Sequence, residues 1–172
     1  DQKEKLKALK FSADNLLNLV QDILDHSLVE SGKINFSSEP FSVRNIMERV
    51  AEMMRLKADK NNVEVIVEVD EKIPREVLGD GMRLNQILIN LAGNAVKFTE
   101  KGSVTLGAEL FGQNDTHNEI RIKVKDTGIG IPKDKHELIF NAFEQADMKI
   151  LNKYGGTGLG LAITKKLIEL QG

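Results

Sequence analysis

Cysteine is absent from the 172 residues, which excludes disulfide frameworks, thiolate zinc sites and cysteine nucleophiles and agrees with a reducing compartment. An excess of charge of one sign is absent too, since 24 Lys+Arg against 26 Asp+Glu leave a formal net charge of -2. That balance supplies no general drive toward nucleic acid or an anionic membrane, so neither is an expected partner. No apolar run approaches the ~18 residues needed to span a bilayer, and the opening Asp1-Gln2-Lys3-Glu4-Lys5 has no signal-peptide core behind it. Internal repeats, low-complexity tracts and long charge blocks are missing as well. What is present, 41% hydrophobic and 29% charged residues, is the composition of a globular domain with a real core. The chain is expected to be soluble and cytoplasmic. It starts without Met inside a charged helical pattern and stops at Leu170-Gln171-Gly172, so it reads as a piece of a longer protein, whose parent could carry a membrane anchor elsewhere.

Hydrophobic spacing organises the rest. Leu6, Leu9, Ala13, Leu16, Val20, Ile23 and Ser27 form a heptad seam, and Leu17, Leu24 and Leu28 widen it to the face that a helix in a four-helix bundle buries. Gly32 is a stop signal, and Asn35 to Pro40 reads as a connector. Val43 to Lys60 is expected to be helical with Ile46, Val50, Met53, Met54 and Leu56 inward. Val63, Val65, Val67 and Val69 alternate as a half-buried strand, Asp80 to Thr99 is helical, and Val104 to Leu110 with Ile120 to Val124 reads as a hairpin with a polar tip. Thr157 to Leu170 closes the chain as a helix. This mixed, non-alternating order predicts an α+β fold, a two-layer α/β sandwich with a mixed sheet covered by helices on one face, preceded by one long bundle helix.

Three constellations carry chemistry. Arg83, Gln86, Asn90, Asn94 and Lys97 line one face of the helix that starts at Asp80, opposite Leu84, Ile87, Leu88, Leu91 and Ala95. Amide oxygens can ligate a hard cation such as Mg²⁺, and a Lys one turn on can meet the phosphates that the cation bridges; Asn also occurs on helices by chance. Asp126-Thr-Gly-Ile-Gly-Ile-Pro132 follows a strand, where glycines admit a ligand to the backbone and a carboxylate can accept from an exocyclic amine such as that of adenine. A tight turn with an Asp cap would use the same residues. Gly155-Gly-Thr-Gly-Leu-Gly160 runs into a helix N-terminus, a natural phosphate site, yet it fits neither the P-loop nor the dinucleotide fingerprint, and a ligand-free hinge is the plain alternative. Between the second and third lies Ile139-Phe-Asn-Ala-Phe143, read as the root of a lid that runs to Tyr154, or as an ordinary loop pinned by two Phe.

In this order the four elements resemble the N, G1, F and G2 boxes of hybrid-type sensor histidine kinases. These share the Bergerat ATP-binding fold with type II topoisomerases, mismatch-repair ATPases and a heat-shock chaperone. Asp22 to Gly32 is similar to the second helix of the dimerisation and histidine-phosphotransfer hairpin. The resemblance implies residues 1–36 as that helix with its connector and residues 37–172 as the catalytic ATP-binding domain, C-terminal strands excepted. It implies ATP and Mg²⁺ as cofactors. Asn94 would ligate the metal, Asn90 and Lys97 would sit at the phosphates, and these three would form the catalytic set. Asp126 would recognise adenine, with Gly128 and Gly130 bordering the base. Phe140 and Phe143 would anchor the lid, Lys153 would reach the phosphates from it, and Gly156, Thr157, Gly158, Leu159 and Gly160 would wrap the triphosphate.

The implied function is transfer of the γ-phosphoryl of MgATP to a His on a bundle helix and thence to a response-regulator Asp. The implied partners are a response regulator or receiver domain and, through the bundle, a second copy of the full-length protein. His26, His117 and His136 are the only histidines, and each reads as a surface or packing residue rather than the phosphoacceptor, so the chain is not expected to label itself. Asn152 stands where the hybrid type often carries Arg. Two other functions compete: an ATP-hydrolysing conformational machine, for which Asn90 stands where a water-activating Glu belongs, and a module that binds nucleotide or a partner without catalysis.

Overall fold

A computed structural model describes residues 34–59, 62–114, 116–142 and 158–171, together with positions 2, 5, 6, 9, 10, 13, 16, 17, 20, 23, 24, 27 and 28. The chain divides into two compact units, Phe36–Pro132 and a second made of Asp1–Asn35 with Lys133–Gly172.

In the first unit the chain enters through a short strand, β1 (Glu39–Phe41). Ser42 then stays extended, and its hydroxyl accepts from the Asn45 N–H at 3.3 Å, which caps α1 (Val43–Ala58). The helix ends at Ala58, and Asn62, directly before the next strand, takes a left-handed φ of 52°, a conformation Asn tolerates better than most residues. Four more strands and one helix follow: β2 (Val63–Val69), β3 (Val77–Gly79), α2 (Gly81–Phe98), β4 (Gly102–Gln113) and β5 (Asn118–Asp126). β4 is the centre of a mixed sheet, parallel to β2 from the Val63↔Gly102 pair and antiparallel to β5 from the Val104↔Asp126 pair. β1 and β3 form a separate antiparallel pair; the sequence reading took the start of β1 for connector and gave no element at β3.

The period of two along the strands sends Val63, Val65, Val104, Leu106 and Ala108 inward against Ile46, Met47, Val50, Met54, Leu88, Ala92, Ala95 and Val96 of the two helices. The other face carries charge: Glu109 pairs with Lys123 at 2.8 Å and Arg121 at 3.2 Å, in contacts exposed enough to contribute little to stability. Arg55 and Arg44 of α1 donate to the carbonyls of Val65 and Val69, giving donors to an edge strand. The expected two-layer arrangement is therefore present, while one detail of α1 differs. Met53 and Leu56 face outward, Leu56 at 77% exposure, and Met47, Ala51 and Ala58 take the inward places. Met47 and Ala51 continue the four-residue row from Val43, whereas Leu56 lies about 200° round the helix from Met54.

In the second unit every described position from 2 to 28 is helical, and the heptad seam is exposed at Leu6, Leu9, Leu16, Leu17, Val20, Ile23, Leu24 and Leu28. Two 3₁₀ segments, Lys133–Lys135 and Leu138–Phe140, precede α3 (Gly160–Gln171). This helix starts after Gly158, whose φ of 73° is not helical, and so later than the expected Thr157. Ile163, Thr164 and Leu167 are its buried positions, and Leu159, just before it, is buried too. Among the described residues no helix is long and apolar enough to cross a membrane.

Truncation should separate the two faces of α1. Met54→Ala is expected to cost about 2–5 kcal/mol by urea unfolding, and Leu56→Ala less than about 0.5 kcal/mol.

Candidate functional site

α2 carries the polar row and the end of β5 the carboxylate, and the first unit joins them. Asp80 caps α2 by accepting from the Arg83 N–H at 2.9 Å, and Arg83 donates to Gln86 at 2.9 Å along the first turn. Arg83, Gln86, Asn90, Asn94 and Lys97 are all half-buried, while Ile87, Leu88, Ala92, Ala95 and Val96 fill the opposite face. The polar row is thus partly withdrawn from water rather than a solvated stripe. Burial holds the Lys97 ammonium below the usual lysine pKa, and its Nζ lies 4.9 Å from the Phe98 ring centre.

The last turn of α2 meets the turn after β5. The Phe98 carbonyl, one of the oxygens a helix end leaves without an intrahelical donor, accepts from the Ile129 N–H at 3.3 Å. A Cβ on Gly128 would collide with that same carbonyl, so only glycine fits there. Gly130 adopts a φ of 68°, again glycine's territory. Thr99, fully buried, donates its hydroxyl to the Ala95 carbonyl at 2.7 Å and ends the helix. Thr127 pairs with Ser103 at the start of β4 through both backbone and hydroxyl, at 3.1 and 3.0 Å. Asp126 is exposed and spends Oδ1 on the Gly128 N–H at 2.8 Å. A carboxylate has lone pairs beyond that one bond, so its other oxygen can still accept from a ligand N–H.

Asn90, Asn94, Lys97, Asp126, Gly128 and Gly130 therefore belong to one compact unit. In the second unit Phe140 closes a 3₁₀ turn that touches α3, with Lys165 Nζ 5.9 Å from its ring centre. Gly158, Leu159 and Gly160 lead into α3, where the Leu159 carbonyl accepts from the Ile163 N–H at 2.9 Å and Leu159 itself is fully buried. Phe143, Lys153, Gly156 and Thr157 lie outside the described residues, as do His26 and Asn152. His117 is a turn residue at the hairpin tip, held by Asn114 and Thr116. His136 directly precedes Glu137, a His-Glu pair the sequence reading passed over; it is exposed in the turn between the two 3₁₀ segments. Thr99 and Thr127 were also missed as structural partners of the site, although each directly follows a residue at which an element ends.

A family model described as histidine kinase-, DNA gyrase B-, and HSP90-like ATPase matches residues 79–172. The chain belongs to this family. Its fold is accordingly the Bergerat sandwich expected above, and its kin are sensor kinases. The signal transduction histidine-protein kinase BarA of Escherichia coli (strain K12) is 39% identical over 171 residues, 99% of this chain but 19% of that protein. The chain thus spans about a fifth of the length of this curated relative. The crystal structure of full-length ShkA in complex with AMPPNP superposes with a TM-score of 0.82 at 38% identity, over 98% of this chain and 34% of that one. Histidine kinase ThkA in complex with response regulator protein TrrA gives 0.65 at 26% identity, over 93% and 42%.

Substitution at three glycines should test the joint. Gly128→Ala is expected to destabilise the fold by about 1–3 kcal/mol through overpacking, and Gly130→Ala by about 1–2 kcal/mol through its left-handed φ. Gly93, where an added Cβ meets nothing within 4 Å, should gain about 0.5–1 kcal/mol as Ala in mid-helix, all by chemical denaturation.

Proposed function

We propose that this chain is the ATP-binding catalytic part of a two-component sensor histidine kinase, which passes the γ-phosphoryl of MgATP to a His on a bundle helix and thence to a response-regulator Asp. The observation that carries this reading is the joint of α2 with the turn after β5, which fixes three amide or ammonium groups, Asn90, Asn94 and Lys97, relative to one carboxylate, Asp126. The donor set suits the ligand. Asp126 keeps acceptor capacity for the exocyclic amine of adenine, with Gly128 and Gly130 leaving the backbone bare beside the base. Asn94 offers a neutral oxygen to a hard cation, and Asn90 and Lys97 flank it toward the phosphates. When bound, Mg²⁺ supplies charge neutralisation at the phosphate oxygens. The chain's own residues hold and orient the nucleotide, so catalysis rests on positioning and electrostatics.

Phe140 and Phe143 anchor a lid in this reading, Lys153 reaches in from it, and Gly156, Thr157, Gly158, Leu159 and Gly160 bring backbone N–H groups at the head of α3 to the triphosphate. Residues 1–36 serve as the second hairpin helix and connector, and the exposed seam from Leu6 to Leu28 is covered by the bundle of a homodimer. The reaction draws on cytoplasmic ATP. An ATPase machine is the weaker alternative, because an amide at Asn90 cannot take a proton from water as a carboxylate does.

Calorimetric titration with MgATP is the direct test: Asn94→Ala and Asp126→Ala should each weaken binding at least about tenfold. Wild-type affinity in both variants overturns the site. Lys97 adds a signed expectation. Its pKa is lowered by burial and a neighbouring phosphate raises it, so at alkaline pH, between those two values, binding should take up part of a proton that Lys97→Met does not. Titrations in buffers of different ionisation enthalpy measure it. Asn90→Glu should raise ATP hydrolysis at saturating MgATP, with general-base catalysis typically worth ~10² to 10⁴.

A further inference from the structure

The carboxylate of Asp80 holds two different parts of the chain. Oδ1 accepts from the Arg83 N–H at 2.9 Å and caps α2, whereas Oδ2 accepts from the Ser37 N–H at 3.1 Å, 43 residues earlier. The two bonds use opposite oxygens of one side chain, so the stretch that enters this unit at Phe36 and the first turn of α2 share a single rigid group. Burial alone would raise the pKa of Asp80, but the N–H groups of Arg83 and Ser37 and the Arg83 charge outweigh it and hold the group below the usual carboxylate value. It is therefore ionised at neutral pH, and both bonds are charge-assisted.

Two further contacts tie the same pieces. β1 pairs with β3 through Glu39↔Gly79, which puts the entering strand beside the residue that precedes Asp80. The Phe41 ring lies on the backbone around Asp80: a Cβ on Gly79 would come within 3.2 Å of it, and one on Gly81 within 2.9 Å. Glycine on both sides of Asp80 is what lets the ring settle there. An N-cap needs only one acceptor. The second oxygen, the flanking glycines and the three-residue strand pair are beyond what a cap requires, and all of them serve the entering chain.

We propose that Asp80 is a positioning residue that clamps the entering chain at Ser37 to the N-terminus of α2, so that the pose of the connector and the ligand occupancy of Asn90, Asn94 and Lys97 on that helix are coupled. The coupling, though not the clamp, rests on the nucleotide reading given above. Coupling free energies are reciprocal: if the clamped pose favours nucleotide, nucleotide favours the clamped pose.

Residue-resolved amide exchange on the chain tests both parts. In Asp80→Ser the hydroxyl still caps α2, but it is too short to reach Ser37 as well. The Ser37 amide should exchange about tenfold faster than in the wild type while the Arg83 amide keeps its protection. MgATP should slow Ser37 exchange in the wild type and leave it unchanged in the variant, whose MgATP affinity falls a few-fold. Asp80→Asn, nearly isosteric, is the second variant; it presents an NH₂ where Oδ2 accepts and should behave alike if Asp80→Ser folds poorly. Ser37 exchange equal to wild type in both variants overturns the clamp. A wild type that binds MgATP with no change at Ser37 overturns the coupling. A wild type that binds no MgATP overturns the nucleotide reading and the coupling with it, and the nucleotide-free comparison still decides the clamp.

Discussion

One backbone carbonyl, that of Phe98, sets the geometry on which the rest of the site depends. A helix end must find donors for its last carbonyls, and here the donor comes from Ile129, in the turn after the far edge strand. The approach is close enough that Gly128 cannot carry a side chain, and Thr127 fastens the same turn to the start of β4. Helix end, central strand and edge strand are locked within three consecutive residues. Asn94 lies four residues before Phe98 and Lys97 immediately before it, while Asp126 lies two residues before Gly128. Their separation is therefore a property of packed backbone rather than of a loop, which is what positioning catalysis requires.

The core behind this joint explains why α2 can spend a whole face on polar side chains. Helix α1 supplies four fully inward large side chains, Ile46, Met47, Val50 and Met54, and the sheet supplies Val104 and Leu106. α2 adds Leu88 and the small residues Ala92 and Ala95, with Val96 closing the end and the partly buried Leu84 and Ile89 packed against the same core. Small residues let the helix sit near the sheet, and that nearness brings its last turn within hydrogen-bond reach of the turn after β5. The fold and the site are one packing problem.

The periodic elements were legible in the sequence because each repeats its signal over many residues: the alternating valines of β2, the hairpin of β4 and β5, and the amide row on α2. The four boxes in order carried the family. The β1 and β3 pair was not legible, since three residues cannot display a period and Pro40 speaks for a turn. On α1, Leu56 looked inward on hydrophobicity alone, but the buried row is set by angle and is completed by Ala51 and Ala58, whose small size hides them in a scan for bulky residues. The joint at Phe98 escaped for a different reason. Nothing in a residue's identity says which carbonyl it will meet across 30 residues of chain, so Gly128, read as bordering a base, gave no sign that the end of a helix constrains it as well. Asp80 had a visible signature, a carboxylate between two glycines at a helix start, but the second bond, to Ser37, joins residues no local window contains.

The charges that α2 does not carry matter as much as those it does. From Asn90 to its end the polar row offers two amides and one ammonium, and no carboxylate. On the proposed reading a polyphosphate lies along that row, where a carboxylate would add like charge to a site already crowded with it. Lys97, half-buried, bears a desolvation cost for its charge, which on that reading an apposed phosphate relieves. An amide at Asn90 can orient a neighbour but cannot deprotonate it. On that reading the row binds and aligns a phosphoryl group without activating water against it. Transfer to an acceptor presented from outside the row then competes with a hydrolysis that the row does nothing to assist, which is the chemical distinction between a kinase and an ATPase built on the same helix.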